Sequence, residues 1–93
     1  FIEVVSFIMR NFGKSDRKNI KVLDLGCGGG HHLLFLANEK FDYYGIDGAK
    51  RGVEIAKERL REKNFSDEKV YLGTFDNLPF AENYFDCIID RGA

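Results

Sequence analysis

Tryptophan is absent from this 93-residue chain, proline and methionine occur once each, and cysteine only twice. Two cysteines, Cys27 and Cys87, cannot staple a small scaffold. Neither stands in a CxxC or Cys/His spacing, so no metal site is expected. An excess of either charge is missing too. Lys plus Arg is 14 and Asp plus Glu is 15, a net charge of -1, which gives no long-range pull toward nucleic acid or an anionic membrane. No apolar run approaches the ~20 residues that cross a bilayer. No secretory leader is visible either, since Glu3 comes early and no small-residue cleavage pattern follows. With thiols in apolar or Gly-rich surroundings, the expectation is a cytoplasmic protein with neither a nucleic-acid nor a membrane partner.

What is present is ordinary for a globular domain: 44% hydrophobic residues, with no internal repeat, low-complexity segment or interdomain linker. The length allows one domain at most. The chain opens on Phe1 and stops at Arg91-Gly92-Ala93, directly after an apolar run. Residues 1–93 are therefore expected to be the N-terminal portion of one longer domain. Such a portion would expose a strand edge, and by itself it is expected to fold poorly or associate and to be inactive.

Apolar side chains at Phe1, Val4, Val5, Ile8, Met9 and Phe12 have the spacing of one helical face, with Gly13 as its stop. A polar loop covers Lys14 to Asn19. Ile20 to Leu25 (IKVLDL) reads as a buried strand that ends in a glycine cluster. From Gly30 or His31 through Ala37 a helix is predicted, apolar nearly all round and so well covered. Tyr43 to Asp47 is a second strand. Ala49 to Lys63 is the clearest helix, with Ala49, Val53, Ala56 and Leu60 inward and a charged face read as solvated surface. Lys69 to Gly73 is a third strand, Thr74 to Tyr84 a proline-containing loop, and Phe85 to Asp90 a fourth strand. Alternation of this kind predicts an α/β fold on a mostly parallel sheet.

The sharpest signal is Val22-Leu23-Asp24-Leu25-Gly26-Cys27-Gly28-Gly29-Gly30, between a strand and a helix. A ligand lying against such a turn needs backbone with no Cβ in the way. Pyrophosphate would use the same geometry, so glycine alone does not name the ligand. Two further residues narrow the choice. A dinucleotide fingerprint wants G-x-G-x-x-G, and here the last glycine position is His31. Asp24 precedes the loop, where a carboxylate repels pyrophosphate and suits a cationic ligand. S-adenosylmethionine, with its ammonium and sulfonium, is such a ligand. About twenty residues on, Asp47 closes the second strand, where an acid accepts hydrogen bonds from both ribose hydroxyls.

The segments VLDLGCGGG, YYGID and LPFAENYFDCIID resemble motifs I, II and IV of class I, Rossmann-like S-adenosylmethionine-dependent methyltransferases, in order and at their usual spacing. The third is most similar to small-molecule methyltransferases of the ubiquinone-biosynthesis type. This resemblance, over roughly residues 20 to 90, implies a doubly wound sheet with the first and fourth strands as central neighbours. It implies S-adenosylmethionine as cofactor and a small-molecule methyl acceptor. It also puts Asp24, Gly26, Gly28 and Gly30 around the methionine portion, Asp47 on the ribose, and Gly48 beside the adenine, and Cys27, at a variable position of the loop, is counted among the cofactor-binding residues.

Past the third strand the family often has an acid and a small residue near the adenine. Here Thr74 and Phe75 occupy those positions, with Asp76 two residues on as a substitute. Asp90 and Arg91 are expected to border the pocket. An N-P-P-Y-like tetrapeptide would start near Arg91 in enzymes that methylate DNA amines, and it is absent. His31 and His32, about 100° apart on a helix, cannot converge on one ion and are expected in the first turn lining the pocket. The first helix is read either as a lid over the cofactor or as an ordinary packing helix. Tyr43, Tyr44, Phe80 and Phe85 are read as packing residues, and no catalytic base is assigned. Two other functions stay open at this point: a nicotinamide-dependent oxidoreductase, and a methyltransferase-like module that acts through protein contacts.

Overall fold

A computed structural model describes residues 2–14, 16–74, 80 and 83–90. In chain order these form α1 (Ile2–Phe12), a 3-10 turn (Arg17–Asn19), β1 (Lys21–Leu25), α2 (His31–Asn38), β2 (Asp42–Asp47), α3 (Lys50–Glu62), β3 (Val70–Leu72) and β4 (Cys87–Asp90). All four strands are parallel and lie in the order β3-β2-β1-β4. The chain winds outward from β1 through β2 to β3, then returns to the other side of β1. That reversal puts a switch point at the carboxyl ends of β1 and β4, where open α/β sheets bind their ligands. The predicted α/β class and the β1–β4 pairing are what the structure has.

Strand register explains the two faces. Val22 pairs with Cys87 and Tyr43, and Leu23 with Ile88 and Tyr44, so odd and even positions of β1 meet different neighbours. On one face Val22 and Ile89 pack with Ile8 of α1 and Leu36 of α2, and Val70 packs with Leu33, Val53, Ala56 and Leu60. Each fully buried leucine here contributes roughly 1.5–3 kcal/mol by leaving water. All three helices thus cover one face, and α1 packs there through Ile8, which is fully buried, while Phe7 is half-exposed. Leu23, Tyr44 and Ile46 form the reverse face, where Leu25, Tyr71, Phe80 and Phe85 join them. Tyr44, Phe80 and Phe85 meet edge to face at 4.9–5.8 Å, the packing role expected of them. Tyr43 lies on the helix-covered side and donates its hydroxyl to the Ser66 carbonyl at 2.6 Å.

Local chemistry sets the helix ends. Gly13 donates to the Met9 carbonyl, and Arg17 donates to the Gly13 carbonyl from Nε and from a terminal nitrogen, at 3.2 and 2.8 Å. The same guanidinium reaches Glu39 at 2.8 Å, which ties the end of α1 to the end of α2. Three sequence readings need correcting. Ala49 is exposed, because the chain is still extended there and the inward face of α3 starts at Val53. Leu34 and Phe35 are only half-buried, since they line an open groove of about 460 Å³ with His31, Asn38, Lys63 and Phe65. The fourth strand begins at Cys87 rather than Phe85, because Asp86 uses its carboxylate to accept from the Lys21 amide and Phe85 turns into the aromatic cluster. No helix among the described residues is long and apolar enough to cross a membrane.

Candidate functional site

At the carboxyl end of β1 the backbone turns through Gly26, Gly28 and Gly30 at φ of 76°, 50° and 83°, a region that side chains other than glycine enter at a cost of roughly 1–2 kcal/mol. Two of these glycines serve opposite purposes. A Cβ on Gly30 would sit 2.9 Å from the Ala56 Cβ, so its absence lets α3 approach. A Cβ on Gly26 would meet no atom of the described residues within 4 Å. Close packing among the described residues therefore does not explain Gly26.

Hydrogen bonds fix the orientation of nearly every peptide in the bend. Gly26 and Cys27 both donate to the Ile46 carbonyl, at 2.8 and 3.0 Å, and Gly30 donates to the Cys27 carbonyl at 3.0 Å. Gly28 donates to Asp47 Oδ2 at 2.7 Å. Four amides are thus turned toward protein acceptors. A phosphate-binding loop does the reverse, aiming its amides at the ligand. This bend presents Cβ-free surface more than donors, which suits a nucleoside with no phosphate.

Asp47 closes β2 and joins three elements. Its Oδ2 holds Gly28, its Oδ1 accepts from the Ala49 amide at 2.8 Å ahead of α3, and its carbonyl accepts from Gly73 after β3 at 2.9 Å. A carboxylate has about four lone-pair positions, so each oxygen can still accept a ligand hydroxyl. The residues present therefore fit S-adenosylmethionine: a Cβ-free bend, and an acid at the next strand end.

Other expected site residues are placed as follows. Asp24 is 0% exposed, and its Oδ1 lies 3.5 Å from Nδ1 of His32, itself 4% exposed. That geometry corrects the reading of His32 as a pocket-lining residue. One helical step turns His32 onto the sheet and His31 outward, where its Nε2 meets an Arg59 terminal nitrogen at 2.7 Å. The Cys27 side chain is 1% exposed and packs with Leu33, Val53 and Ala56, so only its backbone belongs to the bend. Gly48 and Thr74 are exposed neighbours, with a Cβ on Gly48 falling 3.9 Å from the Thr74 methyl. Asp90 is exposed at the end of β4, in register with Leu25 of β1. Phe75, Asp76 and Arg91 lie outside the described residues. Burial pushes the Cys87 thiol up, with Asp86 adding to the shift, so it is not a ready nucleophile.

One contribution was hidden in the sequence. Helix α3 presents Gly52, Ala56 and Arg59 to the bend. Gly52 lies against the Gly28 backbone, Ala56 against Gly30, and Arg59 donates to the Gly29 carbonyl at 3.0 Å. The spacing is that of one helical stripe, and the glycine within a charged helix was its only visible sign.

Residues 16–93 match a family described as a methyltransferase domain. Among curated proteins, an uncharacterized methyltransferase, YcgJ of Bacillus subtilis, is 35% identical over 77 residues, covering 83% of this chain and 30% of that protein. A demethylmenaquinone methyltransferase from a Geobacillus species is 28% identical over 75 residues, 77% of this chain and 32% of that one. Among solved structures, a putative S-adenosyl-L-methionine-dependent methyltransferase from Methanococcus maripaludis superposes with a TM-score of 0.82 and 28% identity over 97% of this chain and 41% of that one. The chain spans about a third of the length of the curated relatives it matches.

Proposed function

The chain belongs to the methyltransferase-domain family, whose cofactor is S-adenosylmethionine, and we propose that it is the cofactor-holding part of an enzyme that methylates a small molecule. The observation that carries this reading is the bend after β1. Its amides are committed to protein acceptors, a Cβ at its Gly26 position would meet none of the described residues, and an acid stands at the neighbouring strand end. A pyrophosphate cofactor would want the opposite arrangement.

When bound, S-adenosylmethionine supplies a methyl already activated on a sulfonium and open to in-line displacement. The residues of this chain bind, orient and exclude water. Gly26 and Gly28 admit the methionine portion against bare backbone. Asp24 stands behind them, its carboxylate favouring a cation through its field rather than by contact. Asp47 takes the ribose hydroxyls on the lone pairs that Gly28 and Ala49 leave. Gly48 and Thr74 would border the adenine, and Asp90 would border the same opening from β4. An acceptor that is already nucleophilic needs no base from this stretch. The name of the Geobacillus relative, which acts on demethylmenaquinone, favours a small-molecule acceptor.

Calorimetric titration tests the reading. S-adenosylhomocysteine is expected to bind and NAD to give no saturable heat. Preferential binding of NAD would overturn it.

A further inference from the structure

The geometry points to Arg59 as a positioning residue that sets cofactor affinity by locking the glycine bend from α3. This inference rests on the proposed S-adenosylmethionine site and adds to it a residue outside the three sequence motifs.

Three arginines lie along α3, and they behave differently. Arg51 reaches Glu54 at 3.2 Å, and Arg61 reaches Asp67 at 2.6 Å, both exposed ion pairs of the kind worth little. Arg59 is half-buried and turns to two uncharged acceptors in the neighbouring βα unit. One terminal nitrogen lies 3.0 Å from the Gly29 carbonyl and 2.7 Å from His31 Nε2. A long, charged side chain held on a backbone carbonyl loses rotamer freedom. In return it holds the acceptor firmly, because a charged donor is roughly twice as strong as a neutral one.

What it holds matters. The Gly29 carbonyl and the Gly30 amide belong to one planar peptide and point in opposite directions. Arg59 takes the carbonyl, and the Cys27 carbonyl takes the amide at 3.0 Å. That peptide is pinned from both sides. Glycine-rich backbone is otherwise free to rotate, and a flipped peptide here would change ψ of Gly29 and φ of Gly30, which shape the bend. Gly28 is held by Asp47, and Gly30 is held against Ala56. Arg59 supplies the grip between them. Preorganising a loop in its bound shape raises affinity by removing the ordering cost.

The steric record agrees. A Cβ on Gly29 would stand 3.0 Å from the Arg59 terminal nitrogen, so the guanidinium lies directly against the glycine backbone. A side chain at position 29 would make the guanidinium give way by a few tenths of an ångström.

The test is calorimetric binding of S-adenosylhomocysteine to the purified protein and its variants, with thermal midpoints measured alongside. Arg59→Ala is expected to raise Kd roughly tenfold, the size of one lost charge-assisted hydrogen bond. Arg59→Lys, which keeps a charged donor, is expected to restore most of that affinity. Arg51→Ala removes the same charge from the same helix and is expected to leave Kd unchanged. Should Arg59→Ala fail to fold, the exposed His31→Ala substitution carries the test, with a rise in Kd of about threefold expected from loss of the second acceptor. Unaltered affinity in Arg59→Ala, an equal loss in Arg51→Ala, or no rescue by lysine would overturn the assignment of Arg59 alone. A wild-type protein that does not bind S-adenosylhomocysteine would overturn the site itself and this inference with it.

Discussion

Strand β2 carries an aspartate at each end, and the two are satisfied by different chemistry. Asp42, at the amino end, faces a cation: Lys69 Nζ donates to Oδ1 at 2.6 Å, and the Tyr44 hydroxyl lies 3.4 Å from Oδ2. Lys69 also sits 4.8 Å from the centre of the Tyr44 ring, and the Tyr44 and Tyr84 hydroxyls meet at 2.8 Å. Asp47, at the carboxyl end, faces two backbone amides and, among the described residues, no hydrogen-bonded cation. The first acid is neutralised where it stands. The second keeps part of its lone-pair capacity for whatever enters. Residue type does not separate a structural acid from a binding one. The charge of its partners does.

The largest effects should come from the bend that Asp47 supports. Gly30→Ala combines a left-handed backbone with a contact of 2.9 Å to Ala56, and should cost about 2–4 kcal/mol of stability by chemical denaturation. Among the described residues nothing lies near a Cβ on Gly26, so Gly26→Ala carries the backbone penalty without a contact of that kind. It should therefore cost about 1 kcal/mol of stability while cutting affinity for S-adenosylhomocysteine by tenfold or more. Equal stability losses in the two variants would break the distinction between a packing glycine and a binding glycine.

A smaller effect belongs to the Asp42 end and shows in alkali. Burial chiefly, then the Tyr84 hydroxyl and Asp42, push the Tyr44 phenol well above its usual value, and the hydrogen bond to Asp42 raises Lys69. Both groups hold their protons more tightly folded than unfolded. Their contribution is thus complete at neutral pH and is lost as pH rises through about 10 and beyond. Asp42→Asn should soften that alkaline loss and lower stability near pH 7 by less than about 1 kcal/mol, as partly exposed pairs do. Thermal midpoints measured from pH 7 to 11 check both statements, and cofactor affinity should not move.

Much of this is legible in the sequence. Pattern places each of the three α-helices and four strands to within a residue or two, because α3 buries Val53, Ala56 and Leu60 at helical spacing and β1 is a short run buried on both faces. Apolar pattern alone overran the start of β4, where Phe85 turns off the strand and Asp86 meets Lys21 with its amide on the carbonyl but its carboxylate, rather than its carbonyl, on the amide. The motif located the bend and Asp47. It did not reveal that Asp24 is covered by His32, or that the Cys27 side chain faces the core, since the direction of a side chain off a bend depends on which helix packs there. Arg59 was hidden for a related reason. On an amphipathic helix a lone arginine reads as solvated, and only the tertiary approach of the neighbouring loop gives it a backbone carbonyl to hold.

The most direct measurement replaces the two aspartates of β2 in parallel and titrates each variant with S-adenosylhomocysteine. Asp47→Ala should weaken binding at least tenfold, through lost hydrogen bonds to a charged group, while Asp42→Ala keeps wild-type affinity. Undiminished binding in Asp47→Ala, or the same loss at both ends of the strand, would contradict the account.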